Sequence, residues 1–236
     1  MTDDAATMSL IEHLEELRRR LIISVGAIVV GAVIGFFLSE PVLALLRQPL
    51  PDAHQTLIVT SLTDAFAVRL KISGFLGIAL AMPVILYQVW RFVTPGLTRR
   101  ERRLIWPLML VALALFALGM FIGYVIIPYA ITFLLSFAME GVEPFLTLPE
   151  YVGFVTTMMI VFGLVFEFPI LLVALARAGI IDHRRLARSR RWTIVGIVIF
   201  AIVATPGGDP ISPMILSSVM YLLFEGSLLA IRLMRR

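Results

Sequence analysis

The stretch Tyr151–Ala176, YVGFVTTMMIVFGLVFEFPILLVALA, decides how this chain is read. Glu167 is its one charge, and as a helix rising 1.5 Å per residue it is long enough to cross a hydrocarbon layer about 30 Å thick. Glu167 precedes Arg177 by ten residues, about 15 Å of helix, which places a carboxylate near the middle of that layer. An acid at a helix centre costs about 2.5–3.5 kcal/mol to insert, so Glu167 must be neutral, bonded to another helix, or facing a water-filled cavity. Pro169 has no N–H to give the carbonyl of Val165, so a bend is expected beside the acid. The remaining chain then reads as the wall around a polar spot in a bilayer.

Composition agrees with that reading. With 60% hydrophobic residues and a mean hydropathy of +0.98, the chain is an all-α polytopic membrane protein rather than a soluble domain. It has no cysteine, so a disulfide framework and a thiolate metal or iron–sulfur site are excluded. His13, His54 and His183 lie outside the apolar runs, which leaves no histidine pair for a haem between spans. Met158, Met159, Met214 and Met220 have no clustered ligands beside them and read as packing. No cofactor, metal or catalytic residue is expected.

Six spans are expected in a single membrane domain over 1–236, at about 21–38, 72–90, 104–127, 151–176, 192–205 and 211–231. The first is entered by an amphipathic helix in which Leu10, Leu14, Leu17 and Leu21 recur at helical spacing among His13, Glu15, Glu16 and Arg18–Arg20. The proline-punctuated region 39–71 reads as an external cap on the surface, Pro83 as a kink in the second span, and Pro128 as the end of the third. The fifth and sixth helices read as short, the fifth giving about 21 Å against the roughly 30 Å core. Gly26, Gly31 and Gly35 form a single small-xxx-small pair, a thin signal for a dimer seam.

Charge sets the orientation. Seventeen of the 20 Lys and Arg residues fall in the N-terminal segment, the loops 91–103 and 177–191, and the C-terminal tail. The other loops are neutral to acidic, so both termini are expected in the cytoplasm. The net charge of +4 is therefore a topology signal with a share in anchoring anionic lipids, and nucleic acid is not needed to explain it. Acids set among these cations, Glu12, Glu15 and Glu16 in the first segment and Glu101 in the second, offer carboxylates of the kind that pair with the planar fork of a guanidinium.

Several runs resemble the TatC family, the C subunit of the twin-arginine translocase. His13-Leu14-Glu15-Glu16-Leu17-Arg18 is similar to the entry motif of that family. The run from Pro83 through Tyr87-Gln88-Val89-Trp90-Arg91-Phe92-Val93-Thr94-Pro95 to Glu101-Arg102-Arg103 is similar to its second span and first cytoplasmic loop. Phe166-Glu167-Phe168-Pro169, Thr205-Pro206 with Asp209, and Phe224-Glu225 follow in the family's order, with one residue more than usual before Asp209.

The resemblance implies a concave bundle in a bacterial-type inner membrane, acting as core and receptor of a system that exports folded proteins on the protonmotive force. It implies a signal-peptide site at Glu16, Glu101, Phe92, Pro95 and Arg18, intramembrane polar or partner-docking positions at Glu167 and Glu225, and Asp209 in the last external loop. The implied partners are single-span TatA and TatB subunits, twin-arginine signal peptides and lipids, in a multi-copy complex. An alternative from the residues alone is a proton-coupled transporter of a small cationic solute using Glu167, but no repeated halves are visible. An intramembrane enzyme lacks a histidine in any span, a His-Glu-x-x-His motif and a second deep acid.

Overall fold

The computed structural model describes residues 10–50, 56–93, 105–137, 145–177, 181 and 183–234. Among them the chain is helical: α1 Leu10–Phe37, α2 Ser39–Arg47, α3 Asp64–Val93, α4 Ile105–Leu135, α5 Leu148–Phe166, α6 Phe168–Arg177, α7 His183–Arg188, α8 Arg190–Ala204 and α9 Ile211–Met234. Five helical stretches are long and apolar enough to cross a membrane: 11–37, 64–92, 106–135, 148–176 and 211–233. The protein is a multi-pass membrane protein. The 15 residues of α8 give about 22 Å, too short to span the full core unaided. By contrast α9, at 24 residues, is not short as expected, because its apolar pattern runs past Glu225 to Met234.

Two helices outrun their expected ends at proline or polar residues. The helix holding the third apolar run passes through Pro128 to Leu135, since neighbouring helices make an interior proline tolerable in a membrane. In α3 the helix begins at Asp64, where the carboxylate accepts the N–H groups of Thr60 and Ser61, each at 2.9 Å. These local bonds close the turn that leads into the helix.

α1 lies antiparallel along α3, and α4 antiparallel along α5. α3 also meets α5, start beside start, and α9 packs on α6 and α8. The first seam is made by close backbone approach: a Cβ on Gly31 would sit 2.9 Å from the Gly77 carbonyl oxygen, and one on Gly77 would sit 2.8 Å from that of Ile28. The small pair Gly31 and Gly35 therefore serves packing within the chain, while Gly26 faces open space. Between α5, α6, α8 and α9, Phe162, Met158, Ile197, Leu216 and Phe224 form a buried core.

The end opposite the basic segments is closed by α2. Two tyrosines hold it from below: Tyr124 Oη donates to the Leu45 carbonyl at 2.9 Å and Tyr151 Oη to that of Leu46 at 2.5 Å. Leu46 is 1% exposed, packed with Val68, Ile72 and Val155, so one face of α2 is anchored in the bundle while Glu40, Pro41, Ala44 and Leu45 stay exposed. Further along, Ile58 donates to Leu146 and accepts from Leu148, joining the two loops of that end at 3.0 and 2.9 Å.

Gly207 and Gly208 make the turn before α9, with φ of +99° and +70° that other residues rarely adopt. Asp209, 2% exposed, then accepts the Ser212 N–H on Oδ1 at 2.7 Å and caps the helix ahead of Pro210. Asp209→Ala should cost about 1 kcal/mol, read as a lower unfolding midpoint in detergent, with Asp209→Ser recovering most of it.

Candidate functional site

Two concavities flank the last turns of α3. The first lies at the basic end, a polar cavity of about 500 Å³ lined by Glu12, Glu15, Glu16, Arg20, Gln88 and Arg91, among others. α1 brings Glu12 and Glu16 to one face by their spacing of four, and the same spacing carries Arg20 onto Glu16. Arg20 donates Nε to Glu16 Oε1 at 3.1 Å and Nη2 to the same oxygen. Its Nη1 reaches across to α3 and donates to Gln88 Oε1 at 3.1 Å. The two side chains are 14% and 17% exposed, so this ion pair is shielded more than an ordinary surface pair.

Glu16 leaves one oxygen unpaired among the described residues. Its Oε2 is buried and has no hydrogen-bond partner among the described residues. An unsatisfied buried acceptor costs about 1–3 kcal/mol, which a donor arriving from outside would recover. Beside it the His13 ring stacks on Phe92, centroids 4.3 Å apart, tying the entry helix to the end of α3. Arg18 is exposed and does not line the cavity. Pro95 and Glu101 lie outside the described residues.

The second concavity is apolar, about 850 Å³, and lies between α3, α5, α6 and α8. Met82, Leu86, Trp90, Phe168 and Phe200 wall it, Phe92 borders it, and Glu167 is the carboxylate within it. The long fourth apolar run breaks into α5 and α6 at Glu167, whose N–H folds back onto the Leu164 carbonyl at 3.1 Å. Its Oε1 is buried and has no hydrogen-bond partner among the described residues. A carboxyl glued to a neighbouring helix through that oxygen is not what the structure shows.

Glu225 is elsewhere. It pairs with Arg190 at 2.8 Å, linking α9 to the start of α8, and so ties the short helix to its neighbour. Sequence reasoning missed Arg20 and Gln88 as parts of the polar cavity. The spacing of Arg20 from Glu16 and the isolated polarity of Gln88 in an apolar helix were the available signals.

Comparison with known proteins bears on this geometry. Residues 12–218 match the family model described as TatC, Sec-independent protein translocase protein. A Sec-independent protein translocase protein TatC of Carboxydothermus hydrogenoformans is 39% identical over 222 residues, covering 94% of this chain and 91% of the relative. One from Aquifex aeolicus is 38% identical, covering 94% and 93%. A crystal structure of the twin arginine translocase receptor TatC superposes with a TM-score of 0.81 at 36% identity, covering 95% of this chain and all of that one.

Proposed function

The chain belongs to the TatC family of Sec-independent protein translocase proteins, and from that premise we propose that it is the signal-peptide receptor and core of a twin-arginine export system. In this reading six helices cross an inner membrane, with α8 as the short fifth crossing and both termini in the cytoplasm. The polar cavity at the basic end then faces the cytoplasm, where unexported precursors arrive. Glu16 receives a passenger guanidinium there, with Glu101, Phe92 and Pro95 completing the site. Arg18, exposed and not lining the cavity, contributes less than Arg20. Single-span TatA and TatB subunits assemble on the membrane face around Glu167, in a multi-copy complex.

The observation that carries the reading is the half-satisfied Glu16: a shielded carboxylate in a cavity, with one buried oxygen unpartnered among the described residues. Such a group suits a donor-rich cation brought in from outside. A small-solute transporter is not favoured, since the relatives are named as protein translocases.

The test is photo-crosslinking of a twin-arginine peptide to the purified protein, with labelling expected in residues 9–20 and 91–103. Glu16→Gln and Glu101→Gln should each weaken peptide binding about tenfold or more, as loss of a charge-assisted bond of about 1.5–3 kcal/mol requires. Wild-type binding by both variants, or labelling confined to other segments, would remove the receptor assignment.

A further inference from the structure

Glu16 is already occupied, and its occupant is a guanidinium of the same chain. Arg20, one turn further along α1, gives two donors to Glu16 Oε1, and its Nη1 is held by Gln88 Oε1 of the neighbouring helix at 3.1 Å. The other carboxylate oxygen, Oε2, is buried, so the oxygen that a cation in the cavity can compete for is the one Arg20 holds. We infer that Arg20, tethered by Gln88, is a resident competitor: an internal stand-in for the passenger's guanidinium that has to be displaced before Glu16 is bound, and that sets the affinity of the site. The inference rests on the receptor reading above and concerns how tightly that site holds its ligand.

The exchange has a direction. Arg20 lies four residues along the same helix, and both its donors converge on one oxygen. The parallel two-bond pairing of a guanidinium with a carboxylate, one N–H to each oxygen, is therefore not made. A guanidinium arriving from outside is free of that constraint. Once Arg20 leaves, the carboxylate can turn, and the incoming fork serves Oε1 and Oε2 together, supplying the partner that Oε2 lacks among the described residues. Resident and passenger are the same chemical group, so the binding free energy is the difference between two similar pairings rather than the whole of one. The displaced Arg20 stays in the cavity, where Gln88 keeps it close enough to return. A translocase has to give its passenger up, and a tethered competitor shortens the time the passenger stays bound.

The experiment measures the affinity of a twin-arginine peptide for the full-length protein in detergent. Arg20→Gln should bind it about tenfold more tightly, the effect of one charge-assisted bond that is no longer competed for. Loss of a brace or damage to the fold would weaken binding, so the sign alone separates a competitor from a support. Gln88→Leu frees one edge of Arg20 and should tighten binding about threefold, and it carries the test where Arg20→Gln does not fold. Arg19→Gln removes the same charge from the same cavity and should tighten binding by about twofold at most. In the double variant Glu16→Gln with Arg20→Gln the tightening should vanish, because both changes act on one pairing. Unchanged or weaker binding by either folded variant, Arg20→Gln or Gln88→Leu, would overturn the competitor. So would tightening of about tenfold in Arg19→Gln, or in the double variant relative to Glu16→Gln, since either makes the effect one of bulk charge. Glu16→Gln alone judges the underlying reading. Wild-type peptide binding there takes Glu16 out of the receptor site, whereas lost binding there with no tightening in Arg20→Gln and Gln88→Leu removes the competitor and leaves the site.

Discussion

Gly119→Leu is expected to prevent the folded protein from surviving extraction, with Gly119→Ala already lowering its unfolding midpoint clearly. A Cβ at Gly119 would lie 2.5 Å from the Phe162 carbonyl oxygen and 2.9 Å from the Gly163 Cα. Those atoms are helix backbone, which cannot swing aside as a side chain can, so α4 and α5 would have to separate. Overpacking a tight core typically costs about 1–3 kcal/mol, and a whole isobutyl group against backbone lies beyond that range. The loss matters more in a bilayer, where lipid is as apolar as leucine and helices associate through close packing and hydrogen bonds. Gly26, with nothing within 4 Å of its added Cβ, supplies the control. Gly26→Leu should leave the stability within about half a kcal/mol of wild type, as for other substitutions away from packed features. Equal behaviour of Gly119→Leu and Gly26→Leu in a detergent melt would show that the α4–α5 seam is loose.

That seam marks where sequence reading stops. The apolar runs and the basic loops are one-dimensional signals, and they located the membrane helices because hydrocarbon thickness and charge asymmetry act on each segment separately. Close approach is a property of two helices at once. Nothing in the local sequence distinguishes Gly119, pressed on α5, from Gly26, which faces open space. The same limit applies at prolines: Pro128 reads locally as a stop, yet α4 continues to Leu135 because the surrounding bundle tolerates the missing bond. In the site, Glu16 was legible as an acid among cations, and its i,i+4 relation to Arg20 was available. Gln88 needed the third dimension, since it lies 68 residues from Arg20. Asp209 was placed in an external loop by resemblance, while its cap on Ser212 emerged only from the backbone geometry of the Gly207-Gly208 turn.

Glu167→Ala should leave twin-arginine peptide binding within about twofold of wild type and cut export by about tenfold or more, on the reading that this acid receives a partner helix. Its place in an apolar cavity of about 850 Å³, away from the polar cavity where Glu16 lies, separates the two readouts. Stability supplies the sign that tells a docking role from a packing role. If the carboxyl were glue between helices, its removal would destabilise the bundle by breaking a buried bond. Instead Oε1 is buried without a partner among the described residues, and removing an unsatisfied buried acceptor relieves a cost of about 1–3 kcal/mol. Glu167→Ala should therefore melt at the wild-type temperature or above it while transport falls. Glu167→Gln, which stays polar but cannot ionise, should retain part of the export activity if a hydrogen bond to a partner is what the cavity provides. The measurement is paired: a detergent melt of the purified variant, and export of a twin-arginine reporter by cells carrying it as their sole copy. A lower melting temperature with unimpaired export would return Glu167 to a structural role and leave the cavity as a lipid-filled groove.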